Sequence, residues 1–464
     1  MARSLLVFTF LIASTAAWAN DAATLPPAVQ TQIDAAANQI LTATGVPSAS
    51  IAVVKDGRIV YLQAYGQARL SPPMEATPQM HYPVGSISKQ FTAAAVLLLA
   101  QDGKLTLDDP VAKYLPNLTR ANEVTIRMLL SHTSGYQDYW PEDYVMTSML
   151  VPATAEHIMD VWATKPLDFD PGTRWQYSNT NFVIAGRIVE QVSGMPLIDL
   201  LNKRIFLPLA MENVYNFDAS RLPATDPTGY ERYALGPPRP APQEGTGWMF
   251  AAGELAMPAH DLALWDISMI NRSLLSPASY AQMLTPIRLK NGDSVGYGLG
   301  VAIEQQNGRP VIEHSGEVSG FVSQNTVYPN DRAAIVVLTN EMATQAASQI
   351  ADRIAPLVLG VAVATQPSKA EAQALAIFNG LADGHINRKL FTKFCNAYFN
   401  QQALDDFASS LKPLGPPLTF RQTKEELRGG MTFRVFTVAF PDRQLKVTTY
   451  EMPDGKIEQY LVLP

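Results

Sequence analysis

The segment Pro83-Val84-Gly85-Ser86-Ile87-Ser88-Lys89 holds the residue types of a nucleophile and its base. A serine hydroxyl attacks poorly until a base takes its proton. On a helix, a lysine three residues further on shares the face of the serine. If Ser86 opens a helix, the positive end favours negative charge building on a substrate oxygen there. The same field, with desolvation by the apolar residues that follow, disfavours the ammonium form of Lys89 and leaves an amine that acts as a base. Ser-x-x-Lys by itself is a weak signal, because Ser is a common N-cap and Lys a common surface residue.

Two further segments carry polar groups of matching use. In Pro171-Gly172-Thr173-Arg174-Trp175-Gln176-Tyr177-Ser178-Asn179, the Tyr177 oxygen can relay a proton if a nearby cation lowers its pKa. Asn179 offers a substrate amide both a donor and an acceptor. The plain alternative is a loop in which Tyr177 packs and Asn179 turns the chain. In His314-Ser315-Gly316-Glu317, Gly316 lets a substrate lie against a strand edge. The backbone N–H groups of Ser86 and Glu317 then form an oxyanion hole. His314 polarises a leaving group or meets a carboxylate. Here the alternative is a turn at a strand end with a surface histidine.

Other candidates carry less. Leu129-Leu130-Ser131-His132-Thr133-Ser134-Gly135 reads as a structural turn. The six histidines show no metal-binding spacing, and the single cysteine, Cys395, builds neither a thiolate site nor an intramolecular disulfide. No Gly-x-Ser-x-Gly elbow and no nucleotide-binding glycine loop is present. Tyr297-Gly298-Leu299-Gly300 reads as a strand with close backbone approach. No metal and no cofactor is expected.

The elements that must position these residues follow from pattern. Asp56-Gly57 between apolar runs Ser50–Val54 and Ile59–Leu62 signals a hairpin. Ser88–Gln101 is apolar on all sides and reads as a buried helix stopped by Asp102-Gly103. Ile184–Val192 is amphipathic and ends near Ser193-Gly194. Four prolines between Pro237 and Gly247 make an irregular loop. Sheet character returns in Tyr297–Glu304 and Arg309–Glu313 around Asn307-Gly308, then in Phe321–Tyr328 and Ala333–Thr339. Strands early and late with helices between predict an α/β (α+β) domain: an antiparallel sheet flanked by helices and closed by both chain ends, with an all-helical insertion. Beyond Gln366-Pro367-Ser368, a helical run from Ala370 to Leu411 precedes four strand-like runs at 418–427, 431–440, 444–452 and 456–463. That order makes a small C-terminal α+β domain with an antiparallel meander.

Bulk composition agrees. The chain has 464 residues, 47% hydrophobic and 17% charged, which fits a globular protein of two or three domains rather than a disordered one. The net charge of −7 and the lack of basic runs argue against nucleic-acid binding. The start reads as an address: Arg3, an apolar stretch Leu5–Ala13, then Ala17-Trp18-Ala19 as a cleavage site. Residues 1–19 are therefore read as a signal peptide and the protein as exported, periplasmic or secreted. No later stretch is long enough for a transmembrane helix. The expected domains are 20–365 for the hydrolase and 366–464 for the accessory unit.

Taken in order, Ser86-x-x-Lys89, Tyr177-x-Asn179 and His314-x-Gly316 resemble the serine β-lactamase and penicillin-binding-protein superfamily, in its class C-like branch, over about residues 25 to 360. Leu129–Gly135 and Tyr297-Gly298-Leu299-Gly300 share in that resemblance. It implies that Ser86 is acylated, that Lys89 and Tyr177 share base and acid duty, and that Asn179 orients the acyl amide. The N–H groups of Ser86 and Glu317 would hold the oxyanion, and His314, Ser315 and Gly316 would border the substrate. The chain departs from the branch where strong β-lactamases carry Lys-Thr-Gly and this one carries His314-Ser315-Gly316. A D-alanyl-D-alanine carboxypeptidase and many esterases and peptidases of the family also have His there. A histidine that is mostly neutral near pH 7 is a poorer carboxylate partner than lysine.

The expectation is therefore a serine hydrolase with an acyl-enzyme on Ser86, of the D-alanyl-D-alanine carboxypeptidase or D-amino-acid peptidase kind. A carboxylesterase or weak β-lactamase is the alternative, and a non-catalytic peptide-binding protein ranks below both. The expected partner is a small-molecule or peptide substrate such as a cell-wall stem peptide. Residues 366–464 lie outside the resemblance, and their order is similar to nuclear-transport-factor-like rolls. Such a domain binds a ligand, covers the site or mediates dimerisation, and the plainer reading, accessory packing, is favoured.

Overall fold

The computed structural model describes residues 24–463 apart from 143, 235, 361–367 and 441–442. The expected leader at 1–19 and the expected boundary at 365/366 lie outside the described residues. The chain divides into two compact units, Met1–Val361 and Ala362–Pro464.

The first unit begins with α1 (Pro27–Thr44) and a hairpin of β1 (Ser48–Lys55) and β2 (Arg58–Leu70), followed by β3 (Pro73–Glu75). Asp56 and Gly57 form the hairpin turn with φ of 52° and 71°, a left-handed pair that Asp-Gly adopts cheaply. The remaining strands come late: β4 (Ala302–Gln306), β5 (Arg309–Val318), β6 (Phe321–Tyr328) and β7 (Ala333–Thr339). Together they form one antiparallel sheet in the order β3-β2-β1-β7-β6-β5-β4. The junction of early and late strands is the β1–β7 pair, with Ile51 opposite Val337 and Val53 opposite Ile335.

Both faces of this junction are buried, which explains its unbroken apolar runs. On β7, Ile335 and Val337 belong to one core, while Val336 and Leu338 point into the other. Each such side chain contributes about 1.5–3 kcal/mol by leaving water. Between β3 and β4 run α2 (Ser88–Gln101), α3 (Asn179–Ser193) and α4 (Ala259–Asn271); α5 (Ala346–Leu359) follows β7. Helices α1 and α5 cover one face of the sheet and α4 covers the other. Every residue of α2 from Ser88 to Leu99 is buried, so this helix lies inside the larger core with no solvent face. Helix α3 stops at Gly194, whose φ of 70° forms a left-handed cap.

The expected sheet-and-helix fold is found, with three local differences. The insertion is mostly helical but also holds a small sheet of Tyr82–Pro83, Leu255–Met257 and Tyr215–Asn216, and a two-stranded pair in which Arg239–Pro240, inside the stretch expected to be irregular, lies against Tyr230–Glu231. The expected strand at Tyr297–Glu304 begins only at Ala302. Gly298 and Gly300 are instead pressed onto other backbone, where an added Cβ would lie 2.1 Å from the Met283 carbonyl and 2.8 Å from that of Lys89. In the second unit, the run from Ala370 to Leu411 is three helices: α6 (Lys369–Ala382), α7 (Lys393–Tyr398) and α8 (Gln401–Leu411). Thr392 and Asn400 each cap a new start by accepting a backbone N–H. Strands β8 (Thr419–Arg428), β9 (Met431–Ala439), β10 (Gln444–Glu451) and β11 (Ile457–Leu463) follow as a meander. Phe378, Phe420, Phe436, Tyr460 and the buried Cys395 share this unit's own core.

Candidate active site

Ser86 stands in a single 3-10 turn, Gly85–Ile87, that runs straight into α2. Glycines on both sides of a close backbone contact place it against β5. Gly85 has φ of 53°, and a Cβ there would fall 2.7 Å from the Glu317 nitrogen. A Cβ on Gly316 would come within 1.9 Å of the Val84 carbonyl. The Ser323 hydroxyl donates to that same carbonyl at 2.9 Å, and Val84 N–H donates to the Leu255 carbonyl at 2.9 Å. The Ser86 turn is thus held between β5 and the Leu255–Met257 strand, and the backbones of Ser86 and Glu317 are neighbours.

Lys89 follows one turn later, with no side-chain surface exposed to water. Its Nζ donates to Ser86 Oγ at 2.9 Å, to Asn179 Oδ1 at 2.7 Å and to the Ala252 carbonyl at 2.8 Å. Burial lowers its pKa from the usual 10.5 to about 7, with the Asp138 charge pulling the other way. The predicted weakening of the ammonium form is present, and its main cause is desolvation.

Asn179 is the first residue of α3, where its side chain meets Lys89 and Asp138, partners of opposite need, and donates more weakly to the Trp140 carbonyl at 3.4 Å. The Lys89 ammonium can only donate and the Asp138 carboxylate can only accept, so the amide oxygen faces Lys89 and the amide nitrogen faces Asp138. Asn179 Nδ2 lies 3.2 and 3.3 Å from the two Asp138 oxygens, and the Asn179 backbone N–H donates to Asp138 Oδ1 at 2.9 Å.

Tyr177 is half-buried and lies beside both Ser86 and Lys89, with the Lys89 Nζ 4.9 Å from its ring centre. Its phenol was expected to be acidified by a cation. It is instead pushed up: burial dominates, the Ser86 hydroxyl lowers it and the Asp138 charge raises it. Tyr177 therefore keeps its proton near neutral pH. Its ring packs on that of His132, with centres 4.3 Å apart. His132 is fully buried in a left-handed conformation, φ 59°, and its Nδ1 accepts the Ser178 N–H at 3.1 Å. Burial first and the Lys89 charge second hold this ring well below the ordinary histidine pKa. The Leu129–Gly135 turn is structural as expected, and what it supports is Tyr177.

His314 on β5 is 7% exposed, and both of its ring nitrogens have partners inside the protein. Nδ1 lies 2.5 Å from the Ser315 carbonyl, which can only accept, so Nδ1 carries the proton. Nε2 then accepts from the Tyr297 hydroxyl at 2.9 Å. Burial first and the Lys89 charge second lower its pKa to about 4, so the ring is neutral at pH 7. Ser315 and Glu317 are exposed on alternate positions of the same strand. The Glu317 carboxylate accepts the Ala343 N–H at 2.6 Å.

Ser86, Tyr177, Asn179, His314, Ser315 and Glu317 open onto one cavity of about 550 Å³. Met249, Val318 and Met342 give it an apolar wall, while Asp138, Glu142 and Glu317 give it acidic groups. Neither Lys nor Arg lines it among the described residues. No group of three or more His, Cys, Asp or Glu among the described residues is placed to hold a metal ion. Asp138, Trp140 and Glu142 come from a loop whose sequence carries no catalytic signature.

A serine hydrogen-bonded to a buried lysine, in a turn packed against one strand of an antiparallel sheet, defines a serine hydrolase of the β-lactamase and transpeptidase type. The chain belongs to the Beta-lactamase family, whose sequence model matches residues 33–359. It is similar to penicillin-binding protein 4* of Bacillus subtilis (strain 168), at 29% identity over 313 residues, 63% of this chain and 68% of that one. It is also similar to a D-aminopeptidase of Brucella anthropi, at 30% identity over 329 residues, 69% of this chain and 61% of that one. The chain thus spans about three fifths of that D-aminopeptidase's length. The octameric penicillin-binding protein homologue from Pyrococcus abyssi shares the fold, with TM-score 0.63 at 23% identity over 94% of this chain and all of that one.

Proposed function

We propose that the chain is a D-amino-acid peptidase or amidase that works through an acyl-enzyme on Ser86. The observation that carries this is the Lys89 amine, buried, 2.9 Å from Ser86 Oγ and near pKa 7. In its neutral form Lys89 takes the hydroxyl proton as Ser86 Oγ bonds to the substrate carbonyl carbon. The N–H groups of Ser86 and Glu317 hold the oxygen that becomes negative. The C–N bond then breaks, and the departing nitrogen takes a proton through the Tyr177 phenol. Water hydrolyses the Ser86 ester by the reverse relay.

The cavity's charge supports an amino-terminal D-residue over a carboxy-terminal one. A terminal carboxylate is best met by a cation, and the candidate on the cavity wall, His314, is neutral with both nitrogens engaged. An ammonium instead finds Glu142 and Glu317 on the cavity wall. The D-aminopeptidase relative supports the same choice. The leader-like residues 1–19 support export, which gives access to cell-wall stem peptides.

The test compares D-alanine p-nitroanilide, a D-Ala-D-Ala peptide, a p-nitrophenyl ester and nitrocefin on the mature protein, with fluorophosphonate labelling in parallel. The amino-terminal D-substrate is expected to turn over fastest, and Ser86→Ala is expected to lose both label and turnover. Label retained by Ser86→Ala removes the acyl-enzyme. Preference for the D-Ala-D-Ala peptide or the ester removes the substrate assignment and leaves the nucleophile.

A further inference from the structure

Asp138 makes no bond to Ser86 or to Lys89, yet the orientation of the groups around Lys89 depends on it. Its Oδ1 accepts three N–H groups: the Asn179 backbone at 2.9 Å, the Asn179 side chain at 3.2 Å and the Trp140 backbone at 3.2 Å. The two bonds to Asn179 lock the first residue of α3 by backbone and side chain at once. A free Asn side chain can present either end of its amide. With its nitrogen held on a carboxylate, it has only the oxygen to offer Lys89, at 2.7 Å.

The surroundings of Lys89 make the charge of Asp138 count. The amine is enclosed by the Ser86 hydroxyl, the Ala252 carbonyl, the Asn179 oxygen and the rings of Tyr177 and Phe182. The ionisable neighbours His132 and His314 are held neutral by burial, and the Tyr177 phenol keeps its proton. Asp138 is the negative charge that opposes the desolvation of the amine. Burial raises the pKa of Asp138 itself, while the Asn179 and Trp140 N–H groups and the Lys89 charge favour its carboxylate; that charge lies one amide away from the amine, where it is screened less than in bulk water.

We infer that Asp138 is a positioning residue of this enzyme: through Asn179 it fixes the hydrogen-bond partner of the Lys89 base and supplies the field in which that base titrates. This rests on the proposal that Lys89 deprotonates Ser86. The sign of the effect follows from the charge. Asp138 favours the ammonium form, so its removal frees the amine at lower pH. It also releases the Asn179 amide, so the height of the profile falls.

The experiment is the pH dependence of kcat/KM and of fluorophosphonate labelling for Asp138→Asn, with Ser86→Ala alongside. Asp138→Asn is expected to move the acid limb down by about one pH unit and to lower kcat by about 10-fold or more. A fall in kcat with the limb unmoved means a merely structural residue and overturns the inference. So does a limb that moves up, or a variant that behaves as the parent. If circular dichroism shows that Asp138→Asn does not fold, Asp138→Ser keeps an acceptor for the Asn179 N–H without the charge and is read the same way. Loss of label in Ser86→Ala with a parental Asp138→Asn profile sinks this inference alone, whereas label retained by Ser86→Ala sinks the acyl-enzyme proposal beneath it.

Discussion

At the scale of single residues, the site works by placing one amine where water cannot reach it. Lys89 loses its hydration and gains three acceptors, Ser86 Oγ, Asn179 Oδ1 and the Ala252 carbonyl. The balance leaves its pKa at about 7, so roughly half of the molecules hold a neutral amine at pH 7. On the proposal that the neutral form is the base, kcat/KM should rise with pH as the proton leaves, with a midpoint near 7. The rise belongs to Lys89 and not to a histidine, since His314 has already lost its proton at about 4. His314→Gln should therefore leave the midpoint in place. Lys89→Met should lower kcat/KM by roughly 10²–10⁴ and abolish the limb. A pH–rate profile on a fast ester substrate decides it, and a midpoint that follows His314 rather than Lys89 would reassign the base.

At the scale of elements, the site depends on two pieces of backbone meeting without side chains between them. The Ser86 turn and β5 touch through Gly85, Gly316, Val84 and Glu317. Gly316→Ala has no space, because its Cβ would press on the Val84 carbonyl and lie 2.6 Å from Ser323 Oγ. The strand must retreat from Ser86, carrying Glu317 with it. Overpacking of this kind costs about 1–3 kcal/mol, and the displacement should lower acylation by about 10²-fold. Thermal unfolding and the rate of fluorophosphonate labelling measure the two effects. A variant that unfolds and labels as the parent does would show that the contact is loose.

The same elements show what the sequence could and could not disclose. Ser86 and Lys89 are legible because helical spacing alone brings them together, and the buried helix beneath them is legible from its continuous apolar run. Gly316 is legible as a special position but not for its partner: the space expected for a substrate at the strand edge is filled by the Val84 carbonyl, and Gly316 does not line the cavity. Asp138 is not legible: it meets Asn179 only after 41 residues of loop and helix have folded back. No local period marks it. Tyr177 is legible only beside the Ser86-x-x-Lys89 motif, and the direction expected for its pKa is the opposite of the one the fold imposes. That direction depends on how fully the fold buries the phenol rather than on the cation beside it. The strand expected at Tyr297–Glu304 fails for a related reason. Its glycines serve contacts with Met283 and Lys89 that lie far away in the chain.

At the scale of the whole molecule, every residue placed at the site lies between Ser86 and Met342. The sheet that carries them is closed within the same unit by the β1–β7 pair. The second unit has a separate core, built on Phe378, Phe420, Phe436 and Tyr460, that shares no residue with the two cores of the first. A unit with its own core and its own closed sheet has what it needs to fold alone. We therefore propose that residues 366–464 are an accessory domain, and that a mature chain ending at 365 folds and is acylated on Ser86. Its labelling rate should stay within about threefold of the parent's, a difference of less than about 1 kcal/mol in the barrier. Labelling lost from a truncated chain that still unfolds cooperatively would give the second unit a part in the chemistry, and size-exclusion chromatography of both chains would show whether it also sets the oligomeric state.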